Sequence, residues 1–434
     1  MSTSFSGALG YVTATSVSTP AVVTMPTNDR VAIFGDSRTA QCSTANGGSE
    51  NYGYLFWSLF FARQRCRYDL IDNYGVGGDT TTMMLARIGQ VIASAASVVI
   101  VLGSTNDRGA ANMTAQATIT NLTAIRDKLR AAGKIVVFVA ETPRGDTTFT
   151  TNRLSGQQLA YHVKVRQWIL SQVAQPGVFV ADPWSYMGDP ASTTGDARVG
   201  YTHDGLHMNT TGAFYLGTAI AKVLNFLFPE PNILPVSNVD QYSVDNPQGC
   251  VNLNPMMTGT AGTAATGGSG QLADSWSGTN AAGASGATRT YTKVTKNGQE
   301  WQQCVLGGTA SGTAAALDIA RQIGLQAKVI PGQYLEAIAD IEFDAGLVNV
   351  MSIQLGITIT DPVNGTVSIW DGDRYTGLSV IPGVAGAGIL RVPRMLVPAG
   401  ATDVRLRLTA YAVDASAVSG TIRCRALALR HLAS

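Results

Sequence analysis

Apolar and polar positions alternate in two different ways along the 434 residues. Over 30–230, continuous apolar runs such as 97–103 (SVVIVLG) alternate with segments of helical period such as 119–133. Continuous β-branched runs are typical of strands buried on both faces of a parallel sheet. The pattern therefore predicts an α/β domain whose parallel sheet is covered by helices on both faces. The predicted strands are 31–34, 68–76, 97–103, 134–142 and 177–183, and the predicted helices are 51–64, 80–94, 119–133, 155–174 and 211–228.

After Pro229 the helical period gives way to a period of two. The Gly- and Thr-rich stretches of 258–290 would alone be typical of a flexible linker, but alternating apolar residues follow at 351–360, 403–413 and 421–429. Short alternating strands between Gly and Pro turns predict an all-β sandwich of the jelly-roll type. We predict four parts: an N-terminal extension (1–29), an α/β domain (30–230), a linker (231–248) and a β-sandwich domain (249–434).

Charge and hydropathy narrow the classes of partner. The formal net charge is +1 and 14% of residues are charged, against roughly 25% in average proteins. No long-range field therefore favours nucleic acid or an anionic lipid surface. Membrane insertion is not expected, because no apolar run approaches the roughly 18 residues that a membrane helix needs. The N-terminus also lacks the basic and apolar segments of a secretory signal.

The five cysteines are scattered, with no CxxC pair and no Cys/His cluster at zinc-ligand spacing. The sequence therefore predicts no metal site. In an oxidising compartment Cys42 could pair with Cys66, or Cys304 with Cys424. The alternative is buried free thiols.

Four short polar blocks coincide with the ends of predicted elements. The first strand ends in Gly35-Asp36-Ser37, the second in NYGVGGDTT, which contains Gly78, and the third in GSTND, which contains Asn106. Each block alone is typical of turn or helix-cap chemistry. Ligands of such sheets, however, bind beyond the carboxyl ends of the strands, where a glycine or asparagine N–H can stabilise an oxyanion.

The fourth block is YTHDGLH, just before the last predicted helix, and it holds two of the four histidines. An imidazole held by a carboxylate can take the proton of a serine hydroxyl, which makes the hydroxyl a nucleophile. The block offers His203 and His207 as bases and Asp204 as the carboxylate.

The ordered set of four blocks resembles the SGNH (GDSL-like) serine hydrolase family over 30–228. The resemblance implies a flavodoxin-like domain with about five parallel strands and no cofactor. It also implies a catalytic triad of Ser37, Asp204 and His207, with an oxyanion hole formed by Ser37, Gly78 and Asn106. One departure is Ser104, which stands where the family has the glycine of Gly-x-Asn-Asp.

Other polar and aromatic residues lie close to these blocks. Candidate substrate contacts are Asp107, Trp184, Tyr186 and His203, with turn chemistry or core packing as the alternative for the first three. Glu141 and Asp182 end the last two strands, where they would face the cleft or cap the structure. His162, inside a predicted helix, is expected to be a surface or interhelix residue.

The β-region resembles carbohydrate-binding modules that follow catalytic domains, and the whole arrangement is similar to bacteriophage tail-associated proteins that deacetylate surface polysaccharides. This similarity implies a carbohydrate O-acetylesterase acting on a polysaccharide or a small ester, outside the cell or on a virion, as a homotrimer. A cytoplasmic location stays open. The alternative functions are a lysophospholipase, short-chain lipase or thioesterase, and a non-catalytic receptor-binding module.

Overall fold

The computed structural model describes residues 25–44, 48–109, 111–313, 315–373 and 380–432. Most of the predicted N-terminal extension (1–29) thus lies outside the described residues. The first half contains a five-stranded parallel sheet in the order β2-β1-β3-β4-β5. Its strands are β1 (Val31–Gly35), β2 (Asn73–Gly75), β3 (Val98–Leu102), β4 (Ile135–Val139) and β5 (Val178–Ala181).

Eight helices accompany the sheet in the described residues. They are α1 (Ser37–Ala40), α2 (Tyr54–Phe61), α3 (Thr81–Ala86), α4 (Ile88–Ile92), α5 (Ala115–Ala131), α6 (Gly156–Ser171), α7 (Trp184–Met187) and α8 (Thr210–Leu227). The central strands are fully buried because alternate side chains enter two separate apolar layers. Ile33 and Ile100 join the layer that contains α2 and α8, whereas Phe34 and Val101 join the layer of α3 to α6. The predicted α/β arrangement is therefore confirmed.

Two predicted elements differ from the structure. Only Asn73–Gly75 of the predicted strand 68–76 is extended, because residues 70–72 form a 3-10 turn. The predicted helix 80–94 is broken at Arg87, which ends α3 and begins α4. The Arg87 guanidinium donates to the carbonyls of Tyr74 and Gly35, and thus holds this break against the ends of β1 and β2.

The second half consists of two six-stranded mixed sheets, in the orders β15-β12-β17-β10-β9-β7 and β14-β13-β16-β11-β8-β6. Most pairs are antiparallel, while β6 with β8 and β7 with β9 are parallel. The strands are β6 (Thr263–Ala264), β7 (Gly268–Gly270), β8 (Ser277–Gly278), β9 (Ala287–Lys296), β10 (Gln299–Gly308), β11 (Ala316–Gln322), β12 (Tyr334–Phe343), β13 (Val350–Asp361), β14 (Gly365–Asp371), β15 (Gly386–Leu396), β16 (Asp403–Ala412) and β17 (Gly420–His431). The predicted β-rich second half is confirmed.

Helix α2 lies between the two halves and has no polar face. Seven of its eight side chains are buried, because one side contacts α8, where Trp57 and Phe214 lie 4.9 Å apart. On the other side the Phe60 ring stacks on Phe343 at 6.1 Å. Gly388 permits the close approach of α2 to β15, since a Cβ atom there would lie 2.2 Å from the Phe60 carbonyl oxygen.

The loop between α1 and α2 also joins the two halves. The Ser49 hydroxyl donates to Asp371 at 2.5 Å, and the Asn51 amide donates to the Met351 carbonyl at 2.6 Å. Ser352 and Gln354, the polar positions of β13, are buried as well, although the alternating pattern predicts exposure. The first half thus covers part of the second.

Two further observations bear on the sequence analysis. All five cysteines are buried free thiols, so neither candidate disulfide is formed. None of the helices within the described ranges is long and apolar enough to cross a lipid bilayer.

Candidate active site

Ser37, His207 and Asp204 form one continuous chain of hydrogen bonds. The Nε2 atom of His207 lies 2.7 Å from Ser37 Oγ, and its Nδ1 atom lies 2.7 Å from Asp204 Oδ2. Because a carboxylate only accepts, Nδ1 carries the proton and Nε2 accepts from the Ser37 hydroxyl. Ser37 begins α1 directly after β1, so its side chain stands at the carboxyl edge of the sheet.

The spacing of Asp204 and His207 follows from a tight turn. Asp204 Oδ1 accepts the backbone N–H groups of Leu206 and His207 at 2.8 and 2.7 Å, which leaves Oδ2 for the imidazole. Gly205 has a φ of 84°, and a Cβ atom there would lie 2.8 Å from the Phe149 carbonyl oxygen. A glycine is therefore needed between the carboxylate and the histidine.

The turn also sets the charge state of Asp204. Partial burial would raise the pKa of this carboxyl, but the hydrogen bonds from the His207 side chain and backbone outweigh burial and hold the pKa well below its usual range. Asp204 therefore stays ionised at neutral pH, as a carboxylate that orients an imidazole must.

Gly77 and Gly78 lie on the other side of Ser37. A Cβ atom on Gly77 would lie 4.0 Å from Ser37 Cβ, so this loop passes close to the serine. Gly78 has a φ of 82° and open space around its Cα atom. The left-handed conformation turns the chain from β2 into α3, whose N-cap is Thr80.

Asn106 and Asp107 connect this loop to the end of β3. The Asn106 side-chain amide donates to the Asp79 carbonyl at 2.9 Å. Asp107 accepts from the N–H and hydroxyl of Thr81 at 2.8 and 2.6 Å, and from the Thr118 hydroxyl at 2.7 Å. The prediction of Asp107 as a substrate contact is wrong, because this carboxylate is fully buried and bonded within the protein.

The aromatic candidates make contacts that favour packing. The Trp184 indole N–H donates to the Glu141 carbonyl, and its ring faces the Arg166 guanidinium at 4.8 Å. Tyr186 stacks on Tyr215 of α8 at 6.3 Å. Both side chains are half-buried, so the alternative of core packing accounts for them better than substrate contact.

His203 lies at the mouth of the site. Its side chain is exposed, and its ring lies nearly parallel to that of His207 with centroids 5.7 Å apart. Its backbone N–H donates to the His207 carbonyl at 3.1 Å, which closes the loop. His203 therefore stays a candidate substrate contact.

A buried charged group lies behind Ser37, and among its members the sequence singles out only Glu141 as a residue that faces the cleft or caps the structure. Arg38, Asp36 and Glu141 are all fully buried. Arg38 donates to Asp36 at 2.7 Å and to Glu141 at 3.1 Å. A signal was present in the sequence, since an arginine directly after the candidate nucleophile and a glutamate after the fourth strand carry opposite charges at the same sheet edge.

Among the described residues, the one group of three potential metal ligands coincides with the hydrogen-bonded chain. Among the described residues, His203, Asp204 and His207 offer ligand atoms within 4.8 Å of one another. Both ring nitrogens of His207 are engaged, however. A cation at this place would have to displace the bonds to Ser37 and Asp204.

A cavity of about 200 Å³ lies away from the site, at the junction of the two halves. It is lined by residues such as Arg67, Glu336, Asp371 and Arg391, and by none of the predicted site residues.

Comparison with known proteins agrees with the geometry. Residues 33–213 match the GDSL-like Lipase/Acylhydrolase family. The matched range includes Ser37, Gly78, Asn106, Asp204 and His207. The matched range lies within the α/β region of the chain.

Solved structures similar to this chain cover less than half of it. A GDSL-like lipase from Bacteroides thetaiotaomicron is 17% identical, with a TM-score of 0.34 over 46% of this chain and 88% of that one. A carbohydrate esterase of family 3 from Talaromyces cellulolyticus is 18% identical, with a TM-score of 0.34 over 46% and 97%. An acetyl xylan esterase is 19% identical, with a TM-score of 0.36 over 45% and 98%. Among curated proteins, none matches the sequence.

Proposed function

We propose that the chain is a serine esterase that works through an acyl-enzyme. The observation that carries the proposal is the hydrogen-bonded chain from Asp204 through His207 to Ser37. In the first step, His207 Nε2 takes the Ser37 proton while Oγ attacks the ester carbonyl carbon. The carbon–oxygen bond to the alcohol then breaks, and His207 returns the proton to the leaving oxygen.

The second step releases the acid. Water gives a proton to His207 Nε2 and attacks the acyl carbon, and the bond to Ser37 Oγ breaks as the proton passes to Oγ. In both steps the carbonyl oxygen becomes negatively charged. The backbone N–H groups of Ser37 and Gly78 and the side-chain amide of Asn106 are the donors that we assign to this oxyanion.

The substrate that we propose is an O-acetyl group on a bacterial surface polysaccharide. The low charge of the chain fits a neutral partner that is recognised through short-range contacts. The β-region, which resembles carbohydrate-binding modules, contacts the α/β half, because the loop that follows α1 is bonded to it through Ser49 and Asp371. A glycan held by the β-region could therefore present an ester to Ser37, which begins α1.

One observation favours longer acyl chains as a second candidate. Val76 and Met83, which flank the Gly77–Gly78 loop in sequence, are 43% and 55% exposed. Exposed apolar side chains beside a candidate oxyanion hole would contact a lipid or thioester acyl chain. A lysophospholipase, short-chain lipase or thioesterase is thus the alternative, and a non-catalytic receptor-binding module would have no use for the hydrogen-bonded chain.

We extend the proposal to the location and the oligomeric state of the enzyme. The similarity to phage tail proteins suggests an extracellular or virion-associated homotrimer. Size-exclusion chromatography with light scattering measures the oligomeric state, and a monomer in solution would contradict the trimer.

Hydrolysis of p-nitrophenyl esters of increasing chain length tests the enzyme class. We expect acetate to be the best acyl group and Ser37→Ala to abolish turnover, while Ser171→Ala, at the exposed end of α6, serves as the matched control. Absence of Ser37-dependent hydrolysis at every chain length would refute the esterase, and a preference for long chains would favour the lipid candidate. Acetate release from an acetylated polysaccharide then tests the substrate.

A further inference from the structure

Three neighbouring strand ends carry one buried network of charges and hydroxyl groups. Asp36 and Arg38 follow β1, Ser104 follows β3, and Glu141 follows β4. All four side chains are fully buried. Since β1, β3 and β4 are adjacent in the sheet, these residues lie side by side beneath the candidate active site.

Glu141 is the residue that connects the network. Its Oε2 atom accepts from Arg38 at 3.1 Å, and its Oε1 atom accepts from the Ser104 hydroxyl at 2.6 Å. Arg38 also donates to both oxygens of Asp36, at 3.0 and 2.7 Å, and to the Thr142 hydroxyl at 2.9 Å. The two oxygens of the Glu141 carboxylate therefore accept from residues that follow two different strands.

The network is charged as well as buried. Burial alone would raise the pKa of Glu141, but the Arg38 charge and the Ser104 hydroxyl outweigh it and lower the pKa. A buried ion pair does little for net stability, because desolvation offsets the attraction, but it fixes geometry and is costly to break from one side. The arrangement is thus better suited to position groups than to stabilise the fold.

Each end of the network adjoins a residue of the site. Arg38 directly follows Ser37, and the Arg38 N–H is itself capped by Asp36 at 3.0 Å. Ser104 lies two residues before Asn106 and occupies the position where the SGNH family has glycine. A glycine at this position would have no side chain to donate to Glu141, so this departure from the family pattern has a structural partner.

We propose that Glu141 and Ser104 are positioning residues, which act through Arg38 and the β3 loop to fix the distance between the Ser37 nucleophile and the Asn106 amide. The proposal rests on the esterase function proposed above. Neither residue needs to touch the substrate. Loss of the network would leave every triad residue and oxyanion residue present but would move Ser37 relative to His207 or to the Asn106 amide.

The test uses Glu141→Gln, Ser104→Ala and the double variant in the full chain. Turnover of p-nitrophenyl acetate is normalised to the fraction of enzyme that a fluorophosphonate labels at Ser37. We expect kcat to fall about 10- to 100-fold with little change in KM, as for a misplacement of about 1 Å. The double variant should lose less than the product of the two single losses, because both changes cut the same chain of contacts.

Asp318→Asn is the matched control for the loss of a buried ion pair. Asp318 is fully buried in the β-region and accepts from Arg407 at 2.7 Å and from Thr409 at 2.9 Å. We expect this variant to lower the melting temperature without changing kcat per labelled enzyme. If Glu141→Gln behaves in the same way, the network is merely structural and the proposal is overturned.

A crystal structure of Glu141→Gln separates this proposal from the esterase function. The positioning role predicts that the contact of 2.7 Å between Ser37 Oγ and His207 Nε2 lengthens or that Asn106 moves. Unchanged positions would overturn the proposal even if the wild type is active. If the wild type shows no Ser37-dependent turnover, the esterase fails while the crystal structure still decides whether the network positions these groups.

Discussion

The Ser37 hydroxyl donates to His207 Nε2 across a sequence separation of 170 residues. The contact joins the first turn after β1 to the loop before α8. It fixes which of the two histidines in YTHDGLH is the base, because His203 is exposed and stacks on the outside of His207. The two histidines should therefore respond differently to substitution.

His207→Ala should reduce kcat by at least about 10⁴-fold, because no other group in the turn can take the Ser37 proton. His203→Ala should mainly raise KM, since this ring lies only at the rim. Steady-state kinetics with p-nitrophenyl acetate measures both. If His203→Ala removes turnover and His207→Ala does not, the assignment of the base is wrong.

Gly78→Ala should lower kcat up to about 100-fold, because strain at a positive φ would displace the N–H that we assign to the oxyanion. The space around Gly78 is open, so a clash does not contribute. Gly133→Ala is the control: Gly133 has a φ of 77°, also has open space, and lies beyond the end of α5.

Both glycine variants should lose about 1–2 kcal/mol of unfolding free energy in urea titrations. Only Gly78→Ala should lose turnover. Equal kinetic constants for the two variants would show that the Gly78 backbone takes no part in catalysis.

The sequence predicted the strand ends well because a parallel sheet imposes a strong pattern. Continuous apolar runs identified β1, β3 and β4, and the polar blocks after them place Ser37 and Asn106 at one edge. The chain of bonds through His207 could be inferred because the four blocks resemble a known family in their order.

Long-range partners could not be predicted from local patterns. Arg38 and Glu141 are 103 residues apart. Their places after two strands put opposite charges at one sheet edge, but the sequence does not show that these two side chains bond to each other. The same limit applies to Asp107. Its position after a strand suggests an exposed side chain, but the carboxylate is buried and accepts from the hydroxyl groups of Thr81 and Thr118. The apolar surface of α2 likewise depends on the β-region that packs on it.

Asn106→Ala should reduce kcat by about 10²–10³-fold with a small change in KM, as expected for the loss of one oxyanion donor. The Asn106 amide also donates to the Asp79 carbonyl, so part of the loss could come from a looser loop. Asn121→Ala controls for this effect, because the Asn121 amide donates to Thr81 and Thr82 of the same segment at 3.1 and 3.0 Å. Comparable kinetic losses in both variants would argue against a direct role of Asn106.

His162 should make the protein less stable in mild acid. This side chain is buried rather than at the surface, its Nε2–H donates to the Thr142 carbonyl at 3.0 Å, and its Nδ1 atom has no partner among the described residues. Burial, with smaller contributions from Arg144 and Arg38 against the opposing Glu141 charge, lowers the pKa of His162 to about 4.

Because the pKa in the folded state lies below the unfolded value of about 6.5, the unfolded chain binds the extra proton between these two pH values. The contribution of His162 to stability is therefore complete above about pH 6.5 and is lost as the pH falls towards 4, by up to about 3 kcal/mol. His162→Gln keeps a donor for Thr142 but does not titrate. Urea unfolding at pH 7, 5.5 and 4.5 should show a steeper loss of stability for the wild type than for His162→Gln, whereas parallel curves would mean that folding does not lower the pKa of His162.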